Sequence, residues 1–68
     1  MLTIEIKRAG YNALTVTCQP GTTVESLLRT HDVEFGNASI RFNGEDASSS
    51  YRLNSSGEIR LLKNVKGN

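Results

Sequence analysis

"LTVTCQPGTTVESLLRTH", Leu14 to His31, changes its period halfway along. In its first part Leu14, Val16 and Cys18 alternate with Thr15, Thr17 and Gln19, the period-two signature of a half-buried strand. Pro20-Gly21 then breaks the strand. Beyond the break Val24, Leu27, Leu28 and His31 recur at helical spacing, and Thr22 with Glu25 three residues on makes a capping-box pattern that sets the helix start. A helix of two to three turns is too short to stand alone in water, so it must lie across a sheet with Val24, Leu27 and Leu28 inward. His31 falls at the helix end, where a charged imidazole suits the dipole.

Working outward, "LTIEIKR" (residues 2–8) alternates with Leu2, Ile4 and Ile6 on one side and Thr3, Glu5 and Lys7 on the other. The Gly10 and Asn12 turn joins it to the Leu14 strand as a hairpin. After the helix, Val33 and Phe35 pin a loop. "SIRFNGE" (39–45) then gives a third strand with Ile40 and Phe42 inward, closed by Asn43-Gly44, a strong tight-turn signal. "EDASSSYR" (45–52) reads as a solvated loop or a short irregular strand, Leu53 as an apolar anchor, and "NSSGE" as another turn. "EIRLL" (58–62) is the last full strand, with Ile59 and Leu61 inward and Arg60 and Leu62 outward. The order strand, strand, helix, strand, minor element, strand predicts an α+β domain: a mixed four- to five-stranded sheet with one helix on one face. The first and last strands should pair in parallel at its centre. This is the β-grasp plan, with residues 1–66 as a single domain and 67–68 as the end of a C-terminal tail.

Composition narrows the function classes. Eight basic and seven acidic residues in a 68-residue chain leave a net charge of +1, with no electrostatic footprint for nucleic acid and no polybasic patch for a membrane. No apolar run is long enough to span a bilayer. One cysteine excludes an internal disulfide, and Cys18 with a lone His31 does not make a zinc site. No metal or other cofactor is expected, the setting is expected to be cytoplasmic, and Cys18 is read as a small core hydrophobe. So small a chain leaves little room for an enclosed pocket, so a self-contained enzyme is not expected. The sheet also lacks an aromatic stacking row for bases, since Tyr11 and Tyr51 fall in turns and loops.

The order and spacing of several short pieces resemble the small sulfur-carrier proteins of the ThiS/MoaD type, which share the ubiquitin-like β-grasp fold. These pieces are Thr23-Val24 with Leu27-Leu28, Ile40-Arg41-Phe42-Asn43-Gly44-Glu45, Leu53, Gly57-Glu58-Ile59, and finally Val65-Lys66-Gly67-Asn68. The resemblance implies a protein partner, an adenylating enzyme related to ubiquitin-activating enzymes, which joins the terminal carboxylate to AMP before sulfur replaces AMP. Such chains end in Gly-Gly. Here Gly67 fits the penultimate glycine, and Asn68 stands in place of the terminal one. An asparagine side chain burdens a tail that must be extended and slim where it reacts.

Two readings therefore stand side by side. In the first, the chain is a ubiquitin-like interaction module. Its outward residues Arg41, Arg60 and Leu62, with Val65 beyond them, meet a protein partner, Thr15 and Thr17 share that face, and the C-terminal tail is a docking strand or a relic. In the second, it is a sulfur carrier or protein modifier acting through Lys66, Gly67 and Asn68, with Asn68 trimmed or tolerated.

Overall fold

The computed structural model describes residues 1–36 and 38–62, so the expectations placed on Val65, Lys66, Gly67 and Asn68 lie outside the described residues. Alternation builds the first hairpin. β1 (Leu2–Arg8) pairs antiparallel with β2 (Leu14–Cys18), with Ile4 opposite Val16 and Leu2 opposite Cys18. Ile4, Ile6, Val16 and Cys18 are buried, and the intervening threonines and charged residues face out.

After a two-residue strand, β3 (Thr22–Thr23), the period-3.6 segment forms α1 (Val24–Thr30), which buries Val24, Leu27 and Leu28. The helix starts one residue later than the capping-box pattern indicates. Thr23 is the N-cap, and its hydroxyl accepts from the Ser26 N–H at 3.2 Å. Thr22 instead donates its hydroxyl to the Gln19 carbonyl at 2.7 Å, and Glu25 reaches forward to Arg29 at 2.6 Å. The register moved because Thr22 is held in the β3 ladder opposite Leu53, which leaves Thr23 as the residue at the strand-to-helix corner.

β4 (Ser39–Phe42) and β5 (Glu45–Ala47) are joined by Asn43-Gly44, with φ of 53° and 86°. Two positive φ values in succession are what a two-residue turn matched to strand twist requires, and Asn-Gly is the pair that tolerates them. Asn43 also ties this hairpin to the last strand: its N–H donates to the Glu58 carbonyl, and its Oδ1 accepts from the Glu58 N–H, both at 2.9 Å. Gly57 makes room for this, since a Cβ there would lie 2.5 Å from Asn43 Oδ1.

β6 (Arg52–Leu53) pairs with β3, and β7 (Gly57–Leu62) closes the main sheet. The strand order is β2-β1-β7-β4-β5, with β1 and β7 parallel at the centre and the other pairs antiparallel. This is the β-grasp arrangement expected from the sequence. The core lies between the helix and one sheet face, and joins Ile4, Ile6, Val24, Leu27, Leu28, Val33, Leu53 and Ile59 into one cluster. No helix among the described residues is long and apolar enough to cross a membrane.

Candidate functional site

Among the described residues the helix covers one sheet face and leaves the other open, and period two decides what that face displays. β7 sends Glu58, Arg60 and Leu62 there because Ile59 and Leu61 are committed to the core. Arg41 on β4 lies directly opposite Arg60, and Lys7 on β1 is the register partner of Arg60 on its other side. Three cations thus stand in one row across three adjacent strands. Like charges set opposite one another on a sheet repel, so each needs a nearby carboxylate.

Glu58 serves two of them. Its carboxylate takes Lys7 Nζ at 2.7 Å and an Arg60 guanidinium nitrogen at 3.6 Å. Lys7 also lies 3.9 Å from Glu5. Arg41 turns to Asp46 on β5, at 3.6 Å. The Lys7 hydrogen bond, followed by the nearby positive charges, holds the Glu58 carboxyl below the ordinary glutamate range. The same bond and the Glu58 and Glu5 charges hold the Lys7 ammonium above its usual value.

Leu62 lies two residues beyond Arg60 on β7, beside this row on the same face. It faces Ser39 across the ladder and is 37% exposed. A shallow cleft of about 320 Å³, lined by Lys7, Arg8, Ala9, Arg60, Leu61 and Leu62, opens beside it. A second cleft of about 520 Å³ flanks the same strand end on the helix side, between Arg8, Tyr11, Phe35 and Leu61. There the Arg8 guanidinium stacks 3.8 Å over the Tyr11 ring.

The structure therefore brings Arg41, Arg60 and Leu62 together on one face. Thr15 and Thr17 lie on that face too but on β2, two strands away from β7. The sequence reading missed Lys7 and Glu58 as members of the site. The alternation places both outward, but pairing them requires the parallel β1–β7 register, which no local pattern contains. Among the described residues, no three His, Cys, Asp or Glu side chains gather as a metal site would require.

No protein-family model matches the chain, and no curated protein does either. Solved structures do. The chain is similar to ubiquitin of Caldiarchaeum subterraneum, at 15% identity and a TM-score of 0.68 over 98% of both chains. It is similar to SAMP1 from Haloferax volcanii at 22% identity and a TM-score of 0.70, over 97% of this chain and 99% of that one. A chain of a pParkin–pUb–UbcH7 complex matches with a TM-score of 0.63 and 17% identity, over 93% of this chain and 23% of its own length. At these identities the likeness is one of fold, the ubiquitin-like β-grasp.

Proposed function

We propose that this ubiquitin-like β-grasp chain acts as a non-enzymatic interaction module that meets a protein partner through its open sheet face. The observation that carries the reading is the juxtaposition of Arg41 and Arg60, opposed across the ladder, with Leu62 beside them. Two opposed guanidiniums cost stability unless carboxylates offset them. They sit beside an apolar side chain that gains by leaving water. Arginine is among the residues enriched where a few side chains carry most of an interface's energy, and Leu62 beside the pair adds apolar surface for a partner to cover.

The test is a complex isolated with the full chain from its own cells and re-formed with variants. Leu62→Asp and Arg60→Glu should each weaken it at least about tenfold, equivalent to ~1.4 kcal/mol. Thr30→Glu, on the exposed end of the helix, should leave it intact. A complex that forms equally well with Leu62→Asp, on a chain that melts as the parent does, sinks the reading.

A second reading is favoured by Gly67 in the sequence together with the resemblance to sulfur carriers. In it, an adenylating enzyme activates the tail carboxylate at Asn68, or at Gly67 once Asn68 is removed, and sulfur then displaces AMP. Incubation with such an enzyme, ATP and sulfide, followed by intact-mass measurement, distinguishes the two. Replacement of one oxygen by sulfur is expected on the carrier reading, and an unchanged mass on the interaction reading.

A further inference from the structure

All fifteen charged side chains of the sequence avoid residues 9–24. That uncharged run contains β2, one of the two edges of the main sheet. The opposite edge, β5, is three residues long and carries Glu45 and Asp46, both exposed. Short length and charge are how edge strands are kept from pairing with other chains. β2 has neither protection. It is five residues long, rich in β-branched residues, and, among the described residues, hydrogen-bonded on one side only, to β1. Among the described residues, no turn, loop or side-chain hydrogen bond reaches residues 14–18 from elsewhere. Its outward N–H and C=O groups are thus open for a further strand.

The strand is complementary to itself. An antiparallel pairing centred on Val16 sets Val16 against Val16, Leu14 against Cys18, and Thr15 against Thr17. On the core side every contact is then apolar with apolar, and on the open side hydroxyl with hydroxyl. Leu14, 40% exposed although it shares the core-side face of Val16 and Cys18, gains the neighbour it lacks. Charges beside the seam also stay apart. Glu5 lies behind Thr15 on β1, and the row continues through Thr17 and Thr3 of the second copy, so no like charges face each other.

We infer that β2 pairs antiparallel with β2 of a second copy of this chain about a two-fold axis at Val16, joining two five-stranded sheets into one. A five-residue ladder buries far less than the ~800 Å² per partner of a standard interface, so the association is concentration-dependent. It leaves Arg41, Arg60 and Leu62 uncovered, and so stands or falls independently of the reading above.

Sedimentation equilibrium of the parent chain should show a mass rising from one chain toward two as concentration increases from about 10 μM to about 1 mM, the range of weak complexes. Thr15→Lys/Thr17→Lys sets lysine against lysine across the seam and should weaken association at least about tenfold, while Thr15→Lys/Thr17→Glu sets opposite charges there and should restore it. In Leu14→Cys the new thiol faces Cys18 of the second copy, and a mild oxidant should give a disulfide-linked dimer. Within one chain the two positions lie ~13 Å apart along the strand, too far to bridge. Thr30→Cys on the helix is the control. The proposal is overturned by a parent chain that stays single to about 1 mM. It is equally overturned by double-lysine association equal to the parent's, or by cross-linking of Leu14→Cys no greater than that of Thr30→Cys.

Discussion

Glu58 shows how one side chain joins the site to the fold. Its backbone is locked to Asn43 by a reciprocal pair of hydrogen bonds, so its position on β7 is fixed. Its carboxylate is then spent on Lys7 and Arg60, two cations that would otherwise face each other across the parallel ladder. Because the Glu58 carboxyl is depressed in the fold, the unfolded chain binds its proton first as pH falls. The stability it contributes is present above the ordinary glutamate value and is lost as pH drops through the depressed one. Lys7, whose ammonium is held above its usual value, contributes stability that is complete below that value and is lost only as pH climbs through the raised one. The pair is thus fully formed across the neutral range. Glu58→Gln should lower the urea midpoint at neutral pH and flatten its decline in acid, so that parent and variant converge at low pH. A gap that persists unchanged into strong acid would place the effect in packing instead of charge.

At the scale of elements, α1 is the part whose ends the sequence conceals best. Seven residues make a helix too short to survive without outside help. At the start, the Val24 and Glu25 N–H groups donate to the Tyr51 and Ser49 carbonyls, at 3.0 and 2.9 Å. The serine run that reads as a solvated loop thus satisfies donors a helix always leaves over. At the other end, Val33 N–H returns to the Leu28 carbonyl at 2.8 Å and Asp32 N–H to Arg29 at 3.1 Å, with Asp32 at a φ of 57°. This is a Schellman closure in which aspartate takes the place usually given to glycine, so no glycine advertises the helix end. The helix and its inward face were legible because periodicity is local. The caps were not, because their partners lie more than twenty residues away or break the usual residue preference. The measured consequence is a contrast. Thr23→Ala should cost ~1 kcal/mol in chemical denaturation, as N-cap removal does. Glu25→Gln, which loses only an exposed pair with Arg29, should cost less than about 0.5 kcal/mol. The reverse order would restore the capping box that Thr22 and Glu25 suggest.

For the molecule as a whole, the parallel pairing of the first and last strands at the sheet's centre followed from the sequence because two hairpin signals and one helix leave few ways to return the chain. The weight carried by the minor elements did not. Leu53 lies in a two-residue strand and looks incidental in the sequence, yet it is fully buried within the single core cluster. It is held opposite Thr22, while the neighbouring pair Thr23–Arg52 and the Arg52 guanidinium on the Gly21 carbonyl at 3.0 Å tie the same segment to the helix start. Losing it should therefore loosen helix and sheet together. A buried Leu→Ala change costs ~2–5 kcal/mol, whereas a chain of this length has only ~3–10 kcal/mol to lose. Leu53→Ala should thus lower protection from hydrogen exchange by similar free energies in α1 and in β1, because a chain so small has one core to break. If the helix amides lost protection while those of β1 kept theirs, the Leu53 segment would be a local clasp on the helix and not part of a single cooperative unit.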